Sequence, residues 1–438
     1  MTPPITPTLS PPIGPVVHLN DGLRQLKPSA TVAINERSAQ LRRDGRRIFR
    51  LGFGQSPFPV PAVVVEELRR HAHEKNYLPV RGLAELRQAV ADHHRNLLGD
   101  GLGPEQVLVG PGSKELMFHL QLAYEGDLLL PSPSWVSYAP QARILGRRVE
   151  MLPTRAEDGW CLQAAELDRF CRRHPERPRL LILNYPSNPV GTSFAAEDLA
   201  ALAEVARRHR LLVLSDEIYG RLDHRGEHES IAPLYPEGTI LSSGLSKWCG
   251  AGGWRLGVFV FPQPLRWLLD AMATLASETF TTTSAPIQYA AVRAYRGGQE
   301  IDDYLLQSRR VLGALGRQVA ARLRQARIAV ADPRGGFYLF PDFTTHADRL
   351  RARGVDSSEA FCERLLTDTG VALLPGADFG RPPTELTARL AYVDFDGRQA
   401  LESAARIPSS EPLDETYLSA CCGATLEGVD RLCDWLDE

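Results

Sequence analysis

The sequence predicts an α/β protein with a large unit built on a mostly parallel sheet and a smaller α+β unit after it. Three observations carry this expectation. Continuous apolar runs of strand length alternate with helix-like segments between Val107 and Lys247, the pattern of strands buried on both faces and joined by crossovers. The residues able to do chemistry there fall at or just past the ends of those runs, where such sheets bind ligands. The chain has 438 residues, more than one simple core accommodates, which favours two domains.

Taken in order, the chain opens with MTPPITPTLSPPIGPVVHLN (1–20). Its prolines predict an extended or disordered arm, and it has neither the basic region nor the apolar core of a signal peptide. Thr31 to Gly45 has helical periodicity and a glycine stop. Ile48 to Pro61 reads as a short strand running into Gly54 and a proline-punctuated turn. Ala62 to Lys75 and Leu83 to Leu98 read as amphipathic helices flanking a loop, 76–82, with an exposed Tyr77.

The alternation then begins. VLVG (107–110) leads through Gly112 and Ser113 into a helix from Lys114 to Tyr124, and DLLLP (127–131) leads through Trp135 into a helix from Val136 to Leu145. RLLILNYP (179–186) leads through Asn188 into a helix from Ala196 to Arg208, and LLVLSDEIY (211–219) carries Asp216 and Tyr219. The stretch TILSSGLSKWCGAGGWRLGVFVF (239–261) is an apolar strand, a break of small residues and a second apolar run. Lys247 sits in the break beside Ser246, ahead of Gly250, Gly252 and Gly253, with Arg255 at the mouth of the second run. Glycines leave room for a bulky group, lysine amines form Schiff bases, and arginine grips phosphate bidentately. Taken singly, the stretch reads equally well as a surface loop with a solvated lysine and arginine. Helices are expected over Leu265–Leu275, Pro286–Tyr295 and Ile301–Arg324, then strands 336–343, 371–374 and 386–394 with a helix Ser357–Thr369 among them, and a last helix over Leu426–Leu436.

Composition narrows the class of function. Apolar residues make up 43% and charged residues 24% of the chain, as in a globular enzyme. A formal charge of −3 offers no electrostatic footprint for nucleic acid or an acidic membrane surface. No apolar run is long enough for a membrane span. The seven cysteines (Cys161, Cys171, Cys249, Cys362, Cys421, Cys422 and Cys433) form neither a disulfide framework nor a zinc spacing. No metal is expected, and the cytoplasm is the expected compartment. A dinucleotide oxidoreductase is disfavoured because no G-x-G-x-x-G follows a first strand. A cofactor-sensing regulator is disfavoured because no basic DNA-binding module is present.

Nine segments together resemble the class I/II aminotransferases, the fold-type I pyridoxal-phosphate enzymes: LKPSATVAINE (26–36), the Tyr77 loop, PSPSWVSY (131–138), NYPSNPVG (184–191), SDEIY (215–219), SGLSKWCGAGGWRLG (243–257), GGFYLF (335–340), LLPGADFG (373–380) and TARLAY (387–392). Each is weak alone; their order and spacing are specific. The resemblance implies a large domain, 56–305, on a seven-stranded type of sheet. It also implies a segment 26–55 that joins the small domain, a bridging helix and small α+β domain over 306–438, and the proline-rich arm 1–25 outside both.

The roles of residues are implied by the same match. Lys247 is similar to the lysine that forms the Schiff base with pyridoxal 5′-phosphate and moves the substrate's α-proton. Asp216 matches the aspartate paired with the pyridine nitrogen, and Asn188 and Tyr219 match the donors to the phenolic oxygen. Trp135 matches the aromatic that stacks on the ring. Gly112, Ser113, Lys114, Ser246 and Arg255 match the phosphate site, at a helix N-terminus suited to anions. Tyr77 resembles the tyrosine that reaches the neighbouring subunit's site, which implies a homodimer. Arg389 matches the arginine that takes the substrate α-carboxylate, with Gly54 and Asn188 lining the same pocket. Asn188–Pro189 is a candidate cis peptide.

Two departures from the family pattern bear on function. Where many members have a serine three residues before the lysine, this chain has Gly244, so a hydroxyl contact to the phosphate is either lost or supplied by Ser242 or Ser243. The segment 277–284, SETFTTTS, carries no arginine for a distal carboxylate, so aspartate specificity by that route is not expected; Arg81 is a candidate substitute but reads better as an exposed arginine with no special role. The resemblance therefore implies an aminotransferase acting on an L-amino acid and a 2-oxo acid, with neutral or aromatic donors favoured. The alternative is a lyase working by elimination on the same cofactor, because the cofactor supplies the chemistry and the pocket selects the bond broken.

Overall fold

The structure is a computed structural model that describes residues 30–438 apart from 100, 174 and 176. The arm expected over 1–25 lies outside the described residues. Seven strands form the main sheet: β1 (Val107–Gly110), β2 (Asp127–Ser132), β3 (Val149–Pro153), β4 (Arg179–Asn184), β5 (Leu212–Asp216), β6 (Thr239–Gly244) and β7 (Gly257–Val260). Their spatial order is β1-β7-β6-β5-β4-β2-β3. Neighbours are parallel except at β7, which runs antiparallel to both β1 and β6.

Alternation along each strand explains why these runs are apolar throughout. Leu128 and Leu130 join Ile182, Leu214 and Ile240 on one face of the sheet. Leu129 joins Leu181, Leu183 and Val213 on the other. The first face is covered by helices Ser113–Ala123 and Arg266–Ser277 through Leu116, Met117, Leu120, Leu268, Leu269 and Met272. The second is covered by Ala164–Arg173 and Ala196–Arg208 through Leu167, Leu199, Leu202 and Ala206. A sheet buried on both faces gains from every side chain it carries, at about 25 cal/mol per Å² of apolar surface removed from water.

A second sheet, antiparallel and three-stranded, has the order β8-β10-β9. Its strands are β8 (Tyr338–Leu339), β9 (Leu374–Pro375) and β10 (Ala388–Ala391). Helix Gln299–Gln325 runs beside the C-terminal helix Glu415–Asp437, with Val319 and Leu323 sharing a core with Val429 and Leu432.

Several expectations from sequence are corrected. The expected strand within Ile48–Pro61 reduces to a single parallel bridge, Phe49 to Val371, because the prolines and glycines that follow cannot extend a ladder. The strands expected over 336–343, 371–374 and 386–394 shrink to the short pieces named above. β3 was not foreseen: its residues are half-exposed at the sheet edge, so VEMLP shows no continuous apolar run. The cis peptide bonds are Ser132–Pro133 and Tyr185–Pro186, and Asn188–Pro189 is not one of them. Its turn is closed by hydrogen bonds instead, Ser187 N to Thr192 O at 2.8 Å and Gly191 N to Ser187 O at 2.7 Å.

One glycine ties the sheet to the helix that starts beside it. A Cβ on Gly257 would lie 2.2 Å from the Ser113 amide nitrogen and 2.6 Å from the Gly112 carbonyl carbon, both of them backbone. Gly257→Ala is therefore expected to cost about 1–3 kcal/mol in denaturant unfolding. Gly423→Ala, where a Cβ would meet nothing within 4 Å, is the matched control and should leave stability unchanged or raised.

Candidate active site

The carboxyl ends of the parallel strands open on a cavity of about 470 Å³, lined from the main sheet's loops and from Phe53, Gly54 and Gln55. Of the residues singled out from sequence, Gly54, Ser113, Lys114, Trp135, Asn188, Asp216, Tyr219, Ser246, Lys247 and Arg255 all line it. Gly112, Arg389 and Tyr77 do not.

Lys247 follows β6 by three residues, and its Nζ donates to the Gly54 carbonyl at 2.7 Å. The same amine lies 5.5 Å from the Tyr219 ring centroid and 5.8 Å from that of Phe337. Arg255 has φ of +54° and donates through Nη1 to the Gly252 carbonyl at 3.0 Å. Its guanidinium rests against the backbone of Gly112: a Cβ there would fall 2.2 Å from Arg255 Nη2. Gly112 itself has φ of +94°, a conformation that favours glycine. Helix Ser113–Ala123 begins at this point, so Arg255 lies beside a helix N-terminus, a place suited to an anion. Lys114 lies 5.0 Å over the Trp135 ring, and burial, then Arg255 and Lys247, hold its amine below the usual lysine range.

Asp216 ends β5 and is 3% exposed. Tyr138 donates to its Oδ2 at 2.5 Å and Ser242 to its Oδ1 at 3.2 Å. Burial lifts its pKa to about 6, against the pull of those two hydroxyls. Asn184, its register partner on β4, donates to the Asp216 carbonyl at 2.8 Å and accepts from the Asn188 amide at 2.8 Å. Tyr219 is buried, its hydroxyl 2.9 Å from that of Tyr338. Burial holds the Tyr219 phenol well above the usual tyrosine range, with Tyr338 adding to the effect.

Arg389 is buried behind the cavity lining, 2% exposed, and meets the cavity through Asn188. It donates through Nη2 to the Gly52 carbonyl at 2.7 Å and through Nη1 to Asn188 Oδ1 at 3.2 Å. Its Nε is buried with no hydrogen-bond partner among the described residues. Tyr77, by contrast, is 87% exposed and away from this cavity. Arg81 pairs with Asp270 on the surface rather than entering the cavity.

Of the two alternatives for the hydroxyl near Gly244, replacement by Ser242 or Ser243 has no support in the cavity. Ser242 is committed to Asp216, and Ser243 is buried outside the cavity. A Cβ at 244 would meet the Leu256 carbonyl oxygen at 2.8 Å, so the close approach of β7 excludes a side chain there. Sequence reasoning missed Tyr138, Asn184 and Tyr338. Asn184 closes β4 and was accessible to the strand-end argument, while Tyr138 and Tyr338 lay in quoted segments without a signal of their own.

This donor set fits pyridoxal phosphate. A buried carboxylate with neutral neighbours receives a cation from a protonated pyridine, and an arginine at a helix N-terminus receives a phosphate. Among the described residues there is no cluster suited to a metal, and no helix is long and apolar enough to cross a membrane.

Comparison with known proteins points the same way. The family model for aminotransferases of class I and II matches residues 46–395. The aspartate/prephenate aminotransferase of Thermus thermophilus is 32% identical over 397 residues, 89% of this chain and 98% of that protein. The aspartate aminotransferase of Geobacillus stearothermophilus is 33% identical, covering 86% and 95%. A solved structure of Thermus thermophilus aspartate aminotransferase with maleate superposes with a TM-score of 0.79 at 31% identity, over 89% of this chain and all of that one. The chain therefore belongs to the class I and II aminotransferases, enzymes of fold-type I that work with pyridoxal phosphate.

Proposed function

We propose that this aminotransferase moves an amino group between an L-amino acid and a 2-oxo acid by a ping-pong reaction in which the cofactor carries the nitrogen and Lys247 holds the cofactor between turnovers. The observation that supports this most is one cavity holding both the Lys247 amine and the buried Asp216 carboxylate. Pyridoxal phosphate, when bound, supplies the electron sink that lets a bond to the substrate α-carbon break. Lys247 is the amine that carries the cofactor and then shuttles the α-proton. Asp216, fixed by Tyr138 and Ser242, holds the proton on the ring nitrogen. Asn188 and Tyr219 would hold the cofactor's phenolic oxygen, Trp135 would stack on its ring, and Arg255 with Gly112, Ser113, Lys114 and Ser246 would take its phosphate. Arg389, whose Nη groups go only to neutral acceptors in the wall, takes the substrate carboxylate beside Gly54 and Asn188.

The relatives are named as aminotransferases, which favours this reading over elimination. We further propose a homodimer in which Tyr77, 87% exposed, reaches the neighbouring site, as the resemblance of its loop implies. The division at residues 55 and 305 is proposed on the separation of the two sheets. A cytoplasmic setting is proposed on the seven free thiols. For the donor, the relatives' names favour aspartate; the lack of an arginine in 277–284 and the pairing of Arg81 with Asp270 favour neutral or aromatic amino acids.

Lys247→Ala is expected to retain cofactor through the phosphate and ring contacts while losing turnover, and borohydride should fix the cofactor on Lys247 in the wild type. Label recovered on another lysine would refute the assignment. With a donor alone, each site should release one 2-oxo acid and change its absorbance, and an acceptor should restore it. Release of ammonia or carbon dioxide instead would select the lyase reading. In a panel of donors run this way, aspartate outpacing phenylalanine and leucine would select the acidic specificity of the relatives.

Asp216 yields a prediction about pH. Its folded pKa is raised from 3.8 to about 6, so the cofactor-free protein favours the protonated form. That contribution is fully present below about pH 4 and is lost as pH rises through about 6, at a cost of about 3 kcal/mol. Cofactor-free Asp216→Asn should therefore be more stable than wild type at pH 8, with the gap closing towards pH 4. Loading with pyridoxal phosphate should reverse the order at pH 8. Denaturant unfolding of both forms at the two pH values checks each step, and an unchanged gap would mean that Asp216 is not the buried acid described.

A further inference from the structure

Tyr338 is 1% exposed and lines no open part of the cavity, yet it touches three groups that serve it. Its hydroxyl is 2.9 Å from the Tyr219 hydroxyl and 3.4 Å from the Gly54 carbonyl. That carbonyl already accepts from Lys247 Nζ at 2.7 Å. Its ring centroid lies 4.8 Å from the Arg389 guanidinium carbon. Glycine at 54 is what admits the phenol: a Cβ there would stand 2.4 Å from the Tyr338 hydroxyl oxygen.

A phenol has one proton to give and an oxygen that accepts. If Tyr338 gives its proton to Gly54, the 2.9 Å contact requires Tyr219 to spend its own proton on Tyr338. If Tyr338 gives to Tyr219, the Tyr219 proton is free to point into the cavity. Distance favours the second arrangement, since 2.9 Å is near an ordinary O–H···O bond and 3.4 Å is long. Gly54 is also served already by the amine. A hydroxyl that accepts a hydrogen bond donates more strongly in turn. The ring acts separately: with its π-face against Arg389, it limits where that guanidinium can swing.

We propose that Tyr338 is a positioning residue with two parts, a hydroxyl that donates to Tyr219 so that Tyr219 donates into the cavity, and a ring that holds Arg389 for the substrate carboxylate. This rests on the placement of Tyr219 and Arg389 proposed above. The test uses the cofactor-loaded enzyme and reads two things: the pH at which the cofactor's absorption band changes, and kcat separately from KM. Tyr338→Phe should move that pH and lower kcat about three- to tenfold, with KM for the amino acid held within about twofold. In a Tyr219→Phe background the same change should cost less than about twofold, because the acceptor hydroxyl is gone. Tyr338→Leu should in addition raise KM for the amino acid about fivefold.

Gly54→Ala gives an independent route to the hydroxyl contact, pushing it aside without removing it. It should move the absorption titration in the same direction as Tyr338→Phe. Equal effects of Tyr338→Phe in both backgrounds, or an unmoved titration in both Tyr338→Phe and Gly54→Ala, would overturn the hydroxyl's role. An unchanged KM in Tyr338→Leu would overturn the ring's role. If Tyr219→Phe by itself left rate and titration unchanged, the placement of Tyr219 would fall, and this inference with it.

Discussion

The direction of one strand sets the geometry of this site. In a wholly parallel sheet, the residues entering a strand and those leaving its neighbour lie at opposite edges. β7 is reversed between β1 and β6, so its entry, Arg255 to Gly257, meets the exits of both neighbours. Gly257 is in register with Gly110 on one side and Gly244 on the other. Three glycines abreast leave no side chain between the sheet and the start of helix Ser113–Ala123, and Gly257 touches that helix's first residue through backbone alone. The lysine, the arginine and the helix terminus therefore meet at one edge.

Against this edge the protein buries a carboxylate. Asp216 is held by two hydroxyls, Tyr138 from the start of helix Tyr138–Ile144 and Ser242 from β6. Neutral partners orient a carboxylate but do not replace the solvation it lost, which is why its pKa climbs to about 6. The resulting preference for a nearby cation is local and directional. Asn184 extends the same logic, fixing the Asp216 backbone on one side and the Asn188 turn on the other.

The opposite wall comes from far away in sequence. Gly52 and Gly54 precede the main sheet, while Tyr338 and Arg389 belong to the second sheet, on β8 and β10. Arg389 reaches Gly52 and Asn188, Tyr338 reaches Gly54 and Tyr219, and Lys247 reaches Gly54. A shift of the second sheet against the first would move Tyr338 and Arg389 together. Arg389 and Tyr219 are thereby joined through Tyr338, whose ring faces one and whose hydroxyl meets the other.

Much of this was legible in the chain itself. Runs such as RLLILN and TILSSG are apolar because both faces of the sheet are covered, so their strand character survives without tertiary context, and the positions at their ends can be named. Lys247, Asp216, Asn188 and Arg255 were reachable in this way because they are tied to strand ends. The short strands β8, β9 and β10 were overestimated, since apolar character there reflects burial between loops rather than a long ladder. The half-exposed edge strand β3 left no periodic signal at all. Which hydroxyl serves Asp216, why position 244 cannot carry a side chain, and how Tyr338 comes to link Gly54, Tyr219 and Arg389 were decided by tertiary structure. Each of these depends on a distance between residues that are remote in sequence. Local periodicity encodes which face of an element is buried, but not what packs against it.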